Sequence, residues 1–418
     1  MKNQKKVIHI ILLFLSFSFI HNKTGQFLYI TDAHISFCYL PNASNNMQCE
    51  TNNGTAGLFG DYYCNNPFWL IEDAVREMKR LVPNPDFIIH GGDTNEQFYH
   101  DEFVIIESIK FVNELFETYF PGVPVLFTIG NHDFFPTHNS PYYNTPFLTK
   151  LSNSLTGLTD QARATFKRGG YYSTNVNNLK IISLNTIIWY KLNALTKYLK
   201  GDLSKQLSWV DSELKRAQNE GQGVLFVGHI FPGVNPFTLK PSYTNTFQDQ
   251  FLERVKTWQR KYGSLILGYL YGHKHRDTFS CGPKNSIHLL NPSLNTRKRI
   301  NSVFRIFNYS DTAKVLYDYT QYHNSLTETN KYKDVKWRKS YNTKKFPMSV
   351  KKLTCKYLRR WNTKLKDSNA LFGWFLFHYK ARYLPMIGCG ASCKKRLLCA
   401  QVNLHRDKMV RCVNNNKS

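Results

Sequence analysis

Carboxylates are scarce in this chain of 418 residues: 29 Asp and Glu stand against 55 Lys and Arg, a formal charge of +26. The shortage is local. Residues 331–418 carry 23 Lys and Arg against only Asp334, Asp367 and Asp407, a net +20, which leaves +6 for residues 1–330. That asymmetry excludes the chain-wide basicity of a protein built to hold nucleic acid, and no stable nucleic-acid complex is expected. Long hydrophobic runs are also missing. The apolar stretches Val7–Ile20 and Leu371–Phe377 both fall short of the ~20 residues that a bilayer-spanning helix needs. No internal repeat is present, so the chain is not an array of repeated units.

The run from Val7 still carries information. It follows Lys2, Lys5 and Lys6, and a basic stretch leading into a short apolar one predicts a secretory signal over residues 1–24, cleaved between Ser16 and Gly25. Nine cysteines suit an oxidising compartment. Asn-x-Ser/Thr triplets begin at Asn22, Asn42, Asn53, Asn308 and Asn416, with glycosylation expected at Asn42, Asn53 and Asn308. The chain is therefore read as secreted or lumenal, extracellular or lysosomal. Residues 37–65, rich in Asn, Gly and Cys, predict a surface loop closed by Cys49 and Cys64.

Five strand-like apolar runs each end on a polar cluster. Gln26–Thr31 runs into Asp32-Ala-His34, Asp86–His90 into Gly91-Gly-Asp-Thr94, and Val123–Ile129 into Gly130-Asn-His-Asp133. Gly223–Val227 runs into Gly228-His229, and Leu265–Leu270 into Gly272-His-Lys-His275. Helical patterns lie between them at Trp69–Leu81, Phe103–Tyr119 and Leu207–Asn219, and Leu179–Asn185 adds a further strand. This alternation predicts βαβ units in a layered α/β fold. Polar residues at the carboxyl ends of such strands lie where open α/β sheets bind ligands.

The clusters hold an inventory suited to two divalent cations some ~3.5–4 Å apart, which need N and O donors and a carboxylate shared between them. Asp32 and His34 alternate along what reads as an extended segment, so both can face one side. Asp93, in a Gly-rich turn, can reach two ions; Asn131 offers a neutral oxygen; His229, His273 and His275 offer imidazoles. Any one cluster arises by chance in a chain of this length. All five in order, each after an apolar run, do not.

Asp-x-His, Gly-Asp, Gly-Asn-His-Asp, Gly-His and Gly-His-x-His, in that order, resemble the calcineurin-like metallophosphoesterases. Leu184-Asn-Thr186, Trp209–Leu214 ahead of Gly228–Gly233, Asn291–Asn295 and Phe304–Phe307 make the chain similar to the acid sphingomyelinase-like phosphodiesterases, from Phe27 to Cys412. With the first ligand already at Asp32, no saposin-like domain is expected ahead of it, and the resemblance is to the saposin-less relatives. It implies an αββα catalytic core over residues 25–320. It also implies a basic, helical C-terminal subdomain over 321–418, with Cys389–Cys393 and Cys399–Cys412 disulfide-bonded. Two zinc ions are implied, one on Asp32, His34, Asp93 and His275, the other on Asp93, Asn131, His229 and His273. A hydroxide bridging them is expected to attack phosphorus in line and hydrolyse a phosphodiester or phosphoanhydride bond.

The departing alcohol needs a proton, and His132, adjacent to a ligand but not itself one, is expected to donate it. Asp133 is placed either to orient that imidazole or to cap the segment that follows. The family branch usually has a second histidine four residues after the bridging aspartate. This chain has Gln97 there, which donates a hydrogen bond but no proton, with His100 nearby. Glu96 stands where a purple acid phosphatase would need its ligating tyrosine. Two functions stay open: a phosphodiesterase acting on nucleotide, phospholipid or polyphosphate, or a secreted relative with weakened catalysis that holds lipid or polyanion.

The basic stretch Lys331–Lys366, interleaved with Trp337, Tyr341 and Trp361, reads either as a contact for an anionic membrane surface or polyanion, or as a solvated face. Cys281 and Cys355 form a further candidate pair and leave Cys38 odd. A monomer is expected.

Overall fold

The computed structural model describes residues 24–97, 101–344, 351–383 and 388–415. The signal segment expected ahead of Thr24, Asn22, His100 and Asn416 lie outside these. The strands are β1 (Gly25–Ile30), β2 (Ile35–Ser36), β3 (Asn66–Pro67), β4 (Phe87–His90), β5 (Val125–Phe127), β6 (Tyr172–Val176), β7 (Leu179–Leu184), β8 (Gly223–Gly228), β9 (Ile266–Tyr271), β10 (Thr278–Cys281), β11 (Ile287–Leu290), β12 (Ser302–Ser310), β13 (Val315–Asn324) and β14 (Trp337–Asn342). The helices are α1 (Phe68–Leu81), α2 (Glu102–Tyr119), α3 (Pro146–Ser154), α4 (Asp160–Gly169), α5 (Gln206–Asn219), α6 (Asn245–Tyr262), α7 (Leu326–Tyr332), α8 (Cys355–Asp367), α9 (Asn369–Tyr379), α10 (Ala391–Val402) and α11 (Arg406–Asn414).

One sheet has the order β14-β13-β12-β1-β4-β5, the other β10-β11-β9-β8-β7-β6, and β2 pairs with β3 alone. Within them β1, β4 and β5 run parallel, as do β7, β8 and β9. Parallel strands are covered on both faces, which is why these segments read as unbroken apolar runs. Side chains alternate between two cores. Phe27 and Tyr29 of β1 pack between the sheets with Phe87, Ile89, Leu225, Val227 and Leu267. Leu28 and Ile30 face the other way, onto Ile71 and Val75 of α1 and Val112 and Phe116 of α2. On the second sheet Ile182, Val224 and Phe226 pack under Leu207 and Val210 of α5 and Phe251 and Val255 of α6. The result is the αββα arrangement, with the carboxyl ends of β1, β4, β5, β8 and β9 opening on one region.

The three helices read from periodicity are present, each beginning one residue earlier than expected. The C-terminal part differs from a purely helical subdomain. Position 320 falls inside β13, and residues beyond it first complete the first sheet through β14. Pairing on both edges and aromatic packing hold β13 there: Tyr319 lies 5.2 Å from Phe307 and 5.8 Å from Tyr341, ring centre to ring centre. The chain turns mainly helical only at Cys355, where Leu358, Trp361, Phe372 and Phe375 join the core between the sheets. Disulfides join Cys49 to Cys64, Cys281 of β10 to Cys355 of α8, Cys389 to Cys393, and Cys399 of α10 to Cys412 of α11. Cys38 is free and exposed. Among the described residues no helix is long and apolar enough to cross a membrane.

Candidate metal centre

The candidate ligands sit on turns that follow five of the parallel strands, β1, β4, β5, β8 and β9, and the backbone there is unusual. Asp32, His34, Asp93, His273 and His275 have φ of 54°, 43°, 54°, 68° and 52°. A left-handed conformation costs a non-glycine residue roughly 1–2 kcal/mol, and such residues persist where surrounding structure over-determines them, often at functional sites. This corrects the extended Asp32–His34 segment expected from sequence. The strand ends at Ile30, and a left-handed turn brings the two side chains into one group. Hydrogen bonds fix that turn: Asp32 N–H donates to Gly92 O at 2.8 Å, His34 N–H to Asp93 O at 3.1 Å, and Asn295 N–H to Asp32 O at 3.0 Å. Ser293 Oγ adds a bond to Asp32 O at 2.9 Å, which accounts for the Asn291–Asn295 motif. Two glycines permit the closest approaches. A Cβ on Gly130 would lie 2.1 Å from Asp93 N, and one on Gly272 would lie 2.1 Å from Thr31 Oγ1.

The side chains gather into two groups, Asp32–His34–His275 and Asp93–His229–His273, each with its donor atoms within 4.8 Å of one another. In the first, His275 Nε2 lies 3.1 Å from Asp32 Oδ1 and 3.3 Å from His34 Nε2. In the second, His229 Nε2 lies 3.0 Å from Asp93 Oδ2. That same Asp93 oxygen is 3.7 Å from His34 Nε2, so it stands between the groups. Asn131 Oδ1 is buried without a hydrogen-bond partner, while its Nδ2 lies 3.1 Å from His138 Nδ1.

Backbone carbonyls set the imidazoles. His34 Nδ1 lies 2.9 Å from Asn95 O and His229 Nδ1 lies 2.8 Å from Gly91 O. A carbonyl only accepts, so each Nδ1 carries the proton and each Nε2 turns its lone pair to the cluster, the arrangement that metal-binding histidines need. Burial pushes His34 down to about 3. Burial also opposes a charge on His229, yet Asp93 and then Asp32 raise it to about 9. Burial would raise Asp93, but His229, His132 and His34 outweigh it and hold the carboxyl well below its usual range. Burial raises Asp32 despite His229, and the Asp93 carboxylate thus demands positive charge at a place lined by imidazole nitrogens and an orphaned amide oxygen. Metal cations fit these donors.

Around the groups the residues take different parts. His132 is half-buried, its ring centre 5.2 Å from His34, and its backbone N–H donates to Asp93 Oδ1 at 2.8 Å. Asp133 neither orients His132 nor caps the following segment. Its carboxylate accepts backbone N–H bonds from Gly130 at 2.7 Å and from Asp93 and Thr94 at 2.9 Å each, stapling two ligand turns together. Gln97 Oε1 accepts from Arg297 Nη1. Sequence reasoning missed His138, which holds the Asn131 amide, and Thr186, whose Oγ1 accepts the N–H groups of His229 and Ile230 at 3.2 and 2.8 Å. Its place in the Leu184-Asn-Thr186 motif was the available signal. Among the glycosylation candidates, Asn42 and Asn53 are exposed. Asn308 lies in β12, with its Nδ2 donating to Asp318 at 2.8 Å.

Two sheets flanked by helices, with acids and imidazoles converging at the ends of parallel strands, define a metallophosphoesterase. The profile of the calcineurin-like phosphoesterases matches residues 25–277 and that of the acid sphingomyelin phosphodiesterase C-terminal region matches residues 285–418, and the chain belongs to this family of phosphodiesterases. It is 29% identical to the sphingomyelinase phosphodiesterase C of Dictyostelium discoideum over 90% of each chain. It is 27% identical to the cyclic GMP-AMP phosphodiesterase SMPDL3A of Homo sapiens, over 93% of this chain and 90% of that one. A solved dimetal phosphatase from Danio rerio is 14% identical, with a TM-score of 0.45 over 72% of this chain and 95% of that one.

Proposed function

We propose that the chain is a secreted phosphodiesterase working with two zinc ions, one held by Asp32, His34, Asp93 and His275, the other by Asp93, Asn131, His229 and His273. The observation that carries this reading is the Asp93 carboxylate oxygen standing between the groups, 3.7 Å from His34 Nε2 and 3.0 Å from His229 Nε2. Four imidazoles with two carboxylates and an amide oxygen make a donor set that suits zinc. Bound ions of this kind supply a water acidified toward neutral pH and positive charge for the phosphoryl oxygens. The chain's own residues do the rest. Asn95 O and Gly91 O hold the imidazoles of His34 and His229 in the binding tautomer, and Asp133 locks the turns that carry Asp93 and Asn131. His132, at the half-open edge, gives the leaving alcohol its proton. Burial holds its pKa well below the usual value, so the charged donor is populated in acid and an acidic working range is favoured.

The names of the relatives point to a phospholipid and a cyclic dinucleotide, which share a phosphodiester as the reacting group. Four disulfides support an oxidising compartment. A competing reading, a lipid- or polyanion-holding relative with weakened turnover, draws on position 97, where an amide engaged by Arg297 occupies the place of a titratable group. Hydrolysis of bis-p-nitrophenyl phosphate, ATP and sphingomyelin by purified protein, with zinc and after chelation, decides between them. Zinc-dependent turnover that falls at least ~100-fold in His132→Ala, the scale of a lost general acid, is expected. No turnover of any substrate with two ions bound would refute the enzyme reading.

A further inference from the structure

A cleft of about 380 Å³ opens between α6, the turn after β10, α8 and the α10–α11 turn, and none of the candidate metal ligands lines it. Its size falls within the roughly 300–1,000 Å³ of small-molecule sites. The walls are tied together. Disulfides join Cys281 of β10 to Cys355 of α8 and Cys399 of α10 to Cys412 of α11. Gln248 Nε2 of α6 donates to Leu404 O at 2.8 Å, Asn362 Nδ2 of α8 to Leu398 O at 2.9 Å, and Ser280 Oγ of β10 to Ala400 O at 2.8 Å. A Cβ on Gly282 would lie 2.7 Å from Leu404 Cδ1, so glycine is what lets the turn close on the helices. Lys284 and Asn285 in that turn hold φ of 51° and 63°, a conformation that persists where the surrounding structure imposes it. A framework set in this way before a ligand arrives loses little entropy on binding.

Lys256, Lys284, Arg359, His405 and Lys408 line the cleft against a single acid, Glu253. Lys256 is matched by Glu253 at 2.8 Å, and His405 by Asp249 at 3.1 Å. Lys284, Arg359 and Lys408, all exposed, enter no ion pair among the described residues. Uncompensated cations in a concave site focus their field and draw anions. Asn285 and Asn403 set amides beside them, which can pair with hydroxyls. No Phe, Tyr or Trp lines the cleft, so it lacks the platform on which single-stranded nucleic acid stacks its bases. Docking on a bilayer uses exposed apolar side chains that enter the lipid boundary. Here Leu252 and Leu404 are 4% and 2% exposed, and none of the large exposed apolar side chains, such as Tyr198 or Phe237, lines the cleft. A hydroxylated chain bearing discrete anionic esters matches this lining.

We propose that this cleft is an exosite for an acidic glycan, whose sulfate or phosphate esters it holds on Lys284, Arg359 and Lys408, so that the chain is retained on such glycans with its metal centre left open. The purified zinc-loaded protein is titrated calorimetrically with a sulfated tetrasaccharide prepared from heparin, with inorganic phosphate, and with vesicles of phosphatidylcholine and phosphatidylserine. Wild type is compared with Lys284→Ala, Arg359→Ala and Lys408→Ala, singly and together. A second triple variant, Lys331→Ala, Lys364→Ala and Lys366→Ala, removes the same charge from exposed positions that do not line the cleft. Each single cleft variant is expected to weaken the tetrasaccharide about threefold to fivefold, the scale of an exposed ion pair, and the three together roughly 30–100-fold. The second triple variant should stay within about threefold of wild type, and added salt should weaken binding, because exposed charges are screened. Turnover of bis-p-nitrophenyl phosphate should be the same in the cleft triple variant and in wild type carrying bound tetrasaccharide. Equal losses in both triple variants, with melting temperatures preserved, would reduce the attraction to diffuse charge and overturn the exosite. Inorganic phosphate bound as tightly as the tetrasaccharide would make free phosphate the ligand, and binding of vesicles alone would make it a membrane; either overturns the glycan. Competitive inhibition by the tetrasaccharide would move binding to the metal centre and overturn the separate cleft. Should no turnover be measurable, the phosphodiesterase reading fails and the titrations still decide the exosite.

Discussion

Replacing Asp133 by asparagine should strike both stability and metal binding, because this side chain is a backbone staple. It is fully buried, and its oxygens accept N–H bonds from Gly130 at 2.7 Å, Asp93 at 2.9 Å, Thr94 at 2.9 Å and, more weakly, Asn95 at 3.5 Å. Each oxygen accepts two of these bonds, so an amide that turns one oxygen into a donor leaves two buried N–H groups facing another N–H. Each unsatisfied buried group costs about 1–3 kcal/mol, so the gross loss is about 2–6 kcal/mol. Burial pushes the Asp133 carboxyl up to about 6, so removing the charge returns part of that loss. A net cost of about 2–4 kcal/mol remains, a large share of the ~5–15 kcal/mol that holds a typical fold. Thermal unfolding followed by circular dichroism should show a melting temperature lower by about 4–16 °C, at the ~2–4 °C per kcal/mol of larger domains. The zinc content of the same samples should fall, since the Asp93 and Asn131 turns lose their common tie. A variant that melts within one degree of wild type with full metal content would refute the staple.

Arg305→Met should cost about 3–5 kcal/mol, the scale for leaving one half of a buried ion pair unmatched. Arg305 is ion-paired with Asp277 and donates to Leu290 O at 3.0 Å and to Asn291 Oδ1 and Gln321 Oε1 at 2.9 Å each. Guanidinium unfolding midpoints check it, and an unshifted midpoint would contradict it. Glu96 titrates at about 8, raised by burial and then by Glu50. Its folded pKa exceeds the ordinary carboxyl value, so the stability it contributes is complete below about 4.5 and is lost as pH rises through 8. The melting temperature should therefore decline from pH 5 to pH 8 more steeply in wild type than in Glu96→Gln; parallel curves would contradict the assignment.

The core was legible because its strands are buried on both faces. Phe27–Ile30 and Gly223–Val227 announce themselves as apolar runs, and the polar residues that follow mark their carboxyl ends. The left-handed turns at Asp32, His34, His273 and His275 were not legible, since Asp and His carry no sequence signature for positive φ and tertiary hydrogen bonds impose it. β13 was hidden for a different reason. Its Tyr, Thr and Gln residues mix aromatic and polar character, and its burial comes from β12, β14 and packed rings distant in the chain. His138 escaped notice because it meets Asn131 only through the fold of the intervening loop.

Anomalous diffraction at the zinc edge, on crystals of the zinc-loaded protein, tests the central claim most directly. Two peaks some ~3.5–4 Å apart are expected, one among Asp32, His34 and His275, the other among Asn131, His229 and His273, with Asp93 touching both. A single peak, or zinc held elsewhere in the chain, would contradict it.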